Sequence, residues 1–124
     1  MKEYFVQEKV NLKNYSTMGV TATAELLVFP YTIKGLLQVF SDYQQENKIM
    51  LGGGANIIFS QAYYGSEYVF VSTKMLEAIE LRDEYLYAQC GTLLSKLAWF
   101  ALEKAILLVA LLFWKISQEQ LGAP

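Results

Sequence analysis

Leu51-Gly52-Gly53-Gly54-Ala55-Asn56-Ile57 is the stretch of this chain whose residue types could do chemistry. Glycines lack a Cβ, so backbone N–H groups can turn toward a bound anion and the anion can approach closely. The run therefore predicts a loop that binds a phosphate or pyrophosphate, with a flexible turn as the alternative. It is not the dinucleotide-binding fingerprint, since Ile57 occupies the place of the third spaced glycine, and no Gly-Lys-Ser/Thr of a P-loop follows.

The elements before this run predict where the loop lies. Glu25–Phe29 reads as a strand, Thr32 caps a helix, and Lys48–Leu51 reads as the strand that leads into the glycines. The helix is predicted from apolar residues at helical spacing: Ile33, Leu36, Leu37, Phe40 and Tyr43. A strand–helix–strand unit predicts parallel strands with a right-handed crossover. Ligands bind beyond the carboxyl ends of such strands, which favours the phosphate interpretation.

The rest of the chain adds further predicted elements. They are a first strand over Tyr4–Leu12, a strand over Tyr68–Ser72, a hairpin formed by Leu76–Leu81 and Tyr85–Gln89, and a helix from Thr92 to Leu102.

Composition excludes several classes of function. The chain has 124 residues and a net charge of −2, without the clustered Lys and Arg of a nucleic-acid-binding protein. Histidine is absent, which excludes His-based acid–base catalysis and ordinary His metal sites, and we predict no metal site. Cys90 is the single cysteine, so no internal disulfide forms, and we expect a small packed side chain there. No signal peptide is visible, and we expect a cytoplasmic protein.

Ala105–Trp114 is a run of ten apolar residues. A membrane-spanning helix needs about 20 such residues, so the run predicts a buried helix and disfavours a membrane anchor. It is apolar on all sides, unlike the surface helix of a globular protein. An apolar helix that docks a partner, or a second copy of the chain, is the interpretation that follows from the residues alone.

Five motifs occur in the order and at the spacings of one enzyme family. They are Asn14-Tyr-Ser-Thr-Met-Gly-Val20, Phe29-Pro30 before a helix, Leu51-Gly-Gly-Gly-Ala-Asn56 with Ile57-Ile58-Phe59, Tyr64-Gly65, and Ala88-Gln-Cys-Gly91. Over residues 11 to 104 the chain therefore resembles the N-terminal, flavin-binding half of the UDP-N-acetylenolpyruvoylglucosamine reductase (UDP-N-acetylmuramate dehydrogenase) family, which acts in cytoplasmic peptidoglycan precursor synthesis.

The resemblance implies a fold and a cofactor. The fold is α+β, the first subdomain of the FAD-binding fold of vanillyl-alcohol-oxidase type. The backbone of Gly52–Asn56, between Leu51 and Ile57, would cradle the pyrophosphate of FAD, with the Asn56 side chain as a further donor. Gly91 would lie near the flavin ring. Ala55 stands where the family has Ser, which removes one hydroxyl contact. NADPH as reductant and a UDP-sugar as substrate belong to the intact enzyme.

The family's next loop, Gly-Ile-Pro-Gly-x-x-Gly-Gly-Ala, and its substrate domain are missing from this sequence. We therefore predict a partial FAD-binding domain over residues 1–104 that contains no catalytic residue and does not turn over by itself. Residues 105–124 form an atypical tail. With suitable codons, Lys115–Pro124 read in a shifted frame gives Asn-Ile-Pro-Gly-Ala-Ile-Gly-Gly-Ala, so a frameshift before Lys115 is one interpretation. The alternative is a non-catalytic nucleotide-binding or interaction domain with an apolar docking helix.

Overall fold

The computed structural model describes residues 1–15, 21–52 and 57–122. At residue 108 and at residues 118–122 it describes the helical backbone and not the side chains. The chain contains both strands and helices, and five strands follow one another between the two α-helices, which confirms the predicted α+β class. The elements are β1 (Tyr4–Asn11), a 3-10 turn (Leu12–Tyr15), β2 (Thr23–Pro30), α1 (Ile33–Asp42), β3 (Asn47–Leu51), β4 (Tyr63–Tyr64), β5 (Tyr68–Ser72), β6 (Ile79–Arg82), β7 (Tyr85–Ala88) and α2 (Leu94–Gly122).

The main sheet has the strand order β1-β2-β5-β3. β1 pairs antiparallel with β2, whereas β5 pairs parallel with β2 on one side and with β3 on the other. β4 pairs parallel with the start of β2. The predicted strand–helix–strand unit is therefore present with parallel strands, but β5 lies between them.

Both faces of this sheet are covered. On one face, Val28, Val69 and Val71 pack with Val39 of α1. On the other face the strands contribute side chains to a larger apolar cluster, made of Leu12, Ala22, Ala24, Leu27, Phe29, Leu51, Phe59, Tyr64 and Phe70. A fully buried Val, Leu or Phe side chain stabilises the fold by about 1.5–3 kcal/mol relative to an exposed one. β5 contributes to both clusters, so it is the central strand of the core.

α1 begins as predicted, because the Thr32 hydroxyl accepts a hydrogen bond from the Gly35 backbone N–H at 2.9 Å. The apolar stripe that predicted the helix is buried only in part, because Leu36 and Tyr43 pack against the cluster around Val39 whereas Ile33 and Phe40 are exposed. Leu37 is exposed, whereas Gly35 and Val39 are buried. The reason is proximity, since a Cβ on Gly35 would overlap the backbone carbonyl of Glu3. α1 thus approaches the Glu3 backbone through a glycine, and only the part of its apolar stripe formed by Ile33, Leu37 and Phe40 is exposed.

A polar cluster joins the start of the chain to the end of α1. The Tyr4 hydroxyl donates to Asp42 Oδ2 at 2.5 Å, and Lys2 Nζ lies 2.7 Å from the same oxygen. Hydrogen bonds from Lys2, and then from Tyr4, lower the pKa of the Asp42 carboxyl below its usual value. Burial, and then the bond to Asp42, raise the pKa of the Tyr4 hydroxyl. The cluster therefore holds edge strand β1 beside α1.

The chain divides into two compact units, and the sheet with α1 lies in the first, formed by Met1–Ala78 and Gln89–Thr92. The second contains the antiparallel β6–β7 hairpin, as predicted, with Asp83 at φ 54° in its turn. It also contains α2, a continuous helix of 29 residues that runs through Ala105–Trp114. The expectation that this run is buried is wrong, because its described side chains are exposed. Leu94–Ser117 is long and apolar enough to cross a membrane, and none of its described side chains is buried.

We predict that Gly35→Ala destabilises the protein. Alanine normally stabilises a helix interior by about 1 kcal/mol relative to glycine. Here the added methyl group overlaps the Glu3 carbonyl, and overpacking of this kind costs about 1–3 kcal/mol. Urea denaturation should therefore show a lower free energy of unfolding for Gly35→Ala, whereas the exposed helix substitution Ser41→Ala should leave it unchanged or slightly raised. Equal stability of Gly35→Ala and the parent would show that α1 is not held against β1 as described.

Candidate functional site

The parallel strands β2, β5 and β3 end at one edge of the sheet, which we call the carboxyl edge. Leu51 pairs with Ser72, the last residues of β3 and β5. The residues beyond these ends are Tyr31, Gly52, Thr73 and Lys74, and they lie in the same compact unit as the segment Gln89–Thr92. Ligands of α/β sheets bind at such an edge, so the predicted glycine loop leaves the sheet where a ligand site belongs.

Leu51 is the fixed point from which the glycine run departs. It is fully buried, and its carbonyl oxygen accepts hydrogen bonds from the Thr73 N–H at 3.0 Å and the Thr73 hydroxyl at 3.3 Å. Gly52, the next residue, is exposed, and a Cβ there would meet nothing within 4 Å. The run thus follows a buried, hydrogen-bonded residue, and its first glycine has open space around its Cα.

The remaining predicted loop residues divide into two groups. Gly53, Gly54, Ala55 and Asn56 lie outside the described residues, so their contacts with a phosphate stay predictions. Ile57 is half-buried and packs against the larger apolar cluster. Leu51 and Ile57, which flank the run, therefore both pack in the same apolar core.

Gly91 lies against the backbone beyond β5. Its N–H donates to the Leu76 carbonyl at 2.8 Å, and a Cβ on it would overlap the Thr73 carbonyl oxygen. This close approach gives a structural reason for glycine at this position, while its predicted contact with a flavin ring stays a prediction. The neighbouring Cys90 is exposed, so the expectation of a packed thiol is wrong.

Sequence reasoning missed the polar residues that follow β5. Ser72 and Thr73 are buried polar residues, and Lys74 is exposed. The Lys74 ammonium lies 5.6 Å from the ring centroid of Phe29. No carboxylate of the described residues lies within ion-pair distance of it. The signal was present in the sequence, because a Ser-Thr-Lys triplet directly follows the apolar run of a parallel strand. The edge thus combines open backbone with an available cation, which suits an anion.

Other parts of the described chain offer no comparable chemistry. A shallow hollow on α2 is lined by Ala105, Ile106, Val109 and Ala110 and has almost no polar surface. Within the described ranges no three His, Cys, Asp or Glu side chains are grouped to hold a metal ion. The carboxyl edge is therefore the candidate site.

Comparison with known proteins found relatives that share one name. UDP-N-acetylenolpyruvoylglucosamine reductase of Francisella tularensis is 32% identical over 95 residues, which cover 76% of this chain and 33% of the relative. The reductase of the same name from Fusobacterium nucleatum is 32% identical over 105 residues, 84% of this chain and 36% of the relative. That of Buchnera aphidicola is 27% identical over 112 residues, 86% of this chain and 31% of the relative. No family model matches the chain.

These matches confirm the resemblance that the sequence motifs predicted. The chain spans about a third of the length of the curated relatives that it matches. The likeness therefore concerns one part of such reductases.

We predict that Gly91→Ala destabilises the carboxyl edge. The methyl group would overlap the Thr73 carbonyl and lie 2.8 Å from the Leu76 carbonyl, so one of these backbone segments must shift. The expected loss is about 1–3 kcal/mol in the free energy of unfolding, measured by urea denaturation. Gly52→Ala serves as the control and should be close to neutral, because its Cβ enters open space. Equal losses for the two variants would contradict the close approach at Gly91.

Proposed function

Starting from a confirmed resemblance to the UDP-N-acetylenolpyruvoylglucosamine reductase family, we propose that this chain binds FAD as the N-terminal, flavin-binding part of such a reductase. The intact enzyme would use NADPH to convert UDP-N-acetylenolpyruvoylglucosamine to UDP-N-acetylmuramate in the cytoplasm. We also propose the FAD-binding fold of vanillyl-alcohol-oxidase type for the sheet unit.

One observation carries this proposal beyond the resemblance. The glycine run starts at the carboxyl end of β3, beside the end of β5, and not in a turn between antiparallel strands. A glycine turn that binds no ligand could equally well lie between antiparallel strands. At the edge of a parallel sheet, the exposed backbone at Gly52 and the exposed Lys74 after β5 suit a diphosphate.

The residues of this chain would bind and orient the cofactor. FAD supplies the hydride-transfer chemistry when it is bound. The backbone from Gly52 to Asn56 would hold its pyrophosphate, and Lys74 would add positive charge. The Leu51 carbonyl, which accepts two hydrogen bonds from Thr73, would hold the start of the loop in place. We propose no proton donor and no substrate-binding residue in this chain, so the chain alone does not turn over.

The tail supports a second candidate function, association through α2. Apolar side chains are exposed along the described part of this helix, among them Leu94, Trp99, Ile106, Leu112 and Trp114. Exposed apolar surface of this extent favours contact with another protein surface. We propose a second copy of the chain as the partner. The predicted boundary at residue 104 and the shifted reading frame stay predictions, which resequencing of the DNA that encodes α2 would check.

We predict that Gly52→Asp lowers FAD affinity by about tenfold or more without loss of stability. The side chain enters open space, so the fold should tolerate it, while its carboxylate repels a diphosphate at the carboxyl edge. The measurement is a titration of the full chain with FAD, followed by quenching of flavin fluorescence. Gly52→Asn adds nearly the same volume without charge and should retain most of the affinity.

Two results would sink the FAD proposal. One is a parent chain that leaves flavin fluorescence unchanged at every concentration. The other is a parent that binds FAD but loses nothing in Gly52→Asp, which would put the diphosphate elsewhere.

We predict that the full chain assembles with increasing concentration and that Leu112→Lys weakens this assembly. Leu112 is 57% exposed, so the substitution places a charge on the apolar surface without emptying a core. Sedimentation velocity over a concentration series gives the readout. Ser95→Lys, at an exposed polar position of the same helix, should assemble like the parent. A parent that stays monomeric throughout would remove self-association as a function of α2.

A further inference from the structure

The exposed apolar side chains of α2 include one continuous line of large residues. They follow one another at alternating intervals of three and four residues, the heptad spacing with which helices pack in coiled coils. We call this line the seam, and its members are Trp99, Leu102, Ile106, Val109, Phe113 and Ile116. Every other line of this spacing on α2 meets a charged residue or an alanine between residues 99 and 116. The seam side chains are 43–69% exposed, so the described part of the chain leaves them uncovered.

The middle of the seam is bordered by small residues. Ala105 and Ala110 flank Ile106 and Val109, and these four side chains line the shallow apolar hollow on this helix. In a coiled coil, a side chain of one helix inserts into a hole formed by four residues of the facing helix. The hollow has this arrangement, and alanine at its edges allows a second helix to approach closely. The middle of the seam is therefore shaped to receive side chains of another helix.

The charged residues near the middle of α2 do not lie on the seam. At about 3.6 residues per turn, Lys104 falls on the opposite side of the helix and Glu103 falls beside the seam. A helix seated on the seam would therefore leave both charges in contact with water. The surface accordingly suits an apolar helix, because no charge has to be desolvated when such a helix binds.

The seam is complementary to itself when two copies of α2 lie antiparallel. In one register every seam residue faces a seam residue of the second copy, and the facing pairs are Ile106 with Val109, Leu102 with Phe113, and Trp99 with Ile116. Each aromatic ring then meets an aliphatic side chain, which makes the layers more similar in volume. A parallel pair would set Trp99 against Trp99 and Phe113 against Phe113, with wide layers beside narrow ones. Antiparallel helices also align their macrodipoles favourably.

The ends of the seam and its area fit the same pairing. The next positions of the heptad in the sequence are Ser95 and Gln120, which are polar and share one layer of the antiparallel register. The apolar contact therefore ends at the same layer in both copies. Since an aromatic side chain alone can bury ~150–250 Å², the seam and its flanks offer on the order of 700 Å² per copy. A stable interface buries about 800 Å² per partner, so a pair of seams comes close to this requirement.

We infer that two copies of this chain pair through their seams as an antiparallel two-helix coiled coil, with Ile106 and Val109 of each copy over the hollow of the other. This inference rests on the proposed association through α2 and adds to it the contact surface, the direction and the register. The two-fold axis passes between residues 107 and 108, midway between Ile106 and Val109.

The contact surface is tested by placing a charge on each of two opposite sides of the helix. Ile106→Lys should raise the dissociation constant of the dimer by about tenfold or more, since both copies carry an unpaired charge into the contact. Leu111→Lys is the matched control, because Leu111 is 53% exposed on the side opposite the seam, against 61% for Ile106. This control should assemble like the parent. Sedimentation velocity of the full chain over a concentration series gives the readout, and circular dichroism checks that both variants keep the helix.

The direction is tested by cross-linking single cysteines with a short bismaleimide in the Cys90→Ser background, which removes the native thiol. Ser95→Cys and Ser117→Cys add thiols at exposed positions near the two ends of the seam. In the antiparallel pair each residue lies far from its own equivalent along the axis, by ~38 Å for residue 95 and ~28 Å for residue 117. Neither variant should therefore cross-link alone, whereas a mixture of the two should. A parallel pair predicts cross-linking of each variant by itself.

The outcomes separate this inference from the proposed association. If the parent assembles and Leu111→Lys weakens assembly as much as Ile106→Lys, or if either cysteine variant cross-links alone, association stands and the antiparallel seam is wrong. A parent that stays monomeric removes both. Binding of the parent to phosphatidylcholine vesicles in place of assembly would show that lipid covers α2, and would also overturn the seam.

Discussion

The parallel pairing of β5 with both β2 and β3 is the constraint on which the candidate site depends. β5 is the strand whose two faces both lie in the core, with Phe70 in one apolar cluster and Val69 and Val71 in the other. Continuous apolar sequence is typical of a parallel strand that is covered on both sides. Since β5 fills the space between β2 and β3, the three strands end at one edge. The residue after β5, Thr73, then bonds the carbonyl of Leu51 and sets where the glycine run begins.

Much of this arrangement could be predicted from the sequence, because hydrophobic periodicity and capping residues are local signals. They placed β2, α1 and β3 correctly and predicted parallel strands. They placed the buried side of α1 only in part, with Leu36 and Tyr43 packed against the core but Leu37 exposed, since periodicity counts apolar residues and cannot measure the space available. The close approach to the Glu3 carbonyl leaves room only for Gly35, so the buried side carries the smallest residue of the helix. The order of the strands was equally beyond a local signal, because β5 comes after β3 in the chain and inserts before it in the sheet.

For α2, the sequence predicted the helical conformation but not the exposure of its apolar side chains. Its helical conformation follows from local propensity, and the sequence predicted a helix at its start and an apolar run further on. What covers that run is a tertiary question, and the described side chains of Ala105–Trp114 are exposed. Glu103 and Lys104 interrupt the apolar surface near the middle of Leu94–Ser117. Two charges at such a depth disfavour a bilayer as the covering medium, since each costs about 2.5–3.5 kcal/mol at the centre of a membrane helix. This argues that α2 is covered by a protein surface that places polar groups or water opposite Glu103 and Lys104.

The proposed anion site has to contend with the electrostatics of the carboxyl edge. Strands that end at one edge bring backbone carbonyl oxygens there, and their partial negative charge would repel a phosphate. At the end of β3 the carbonyl oxygen of Leu51 is already engaged by Thr73, and just beyond β5 the Leu76 N–H engages the carbonyl of Thr73 while the Gly91 N–H engages that of Leu76. Such pairing turns the carbonyl dipoles toward protein donors. Lys74 then supplies the exposed full charge beyond β5. The segment at Gly91 would thus matter to the proposed site even without touching a ligand, because its N–H occupies a carbonyl that would otherwise be free near the proposed anion.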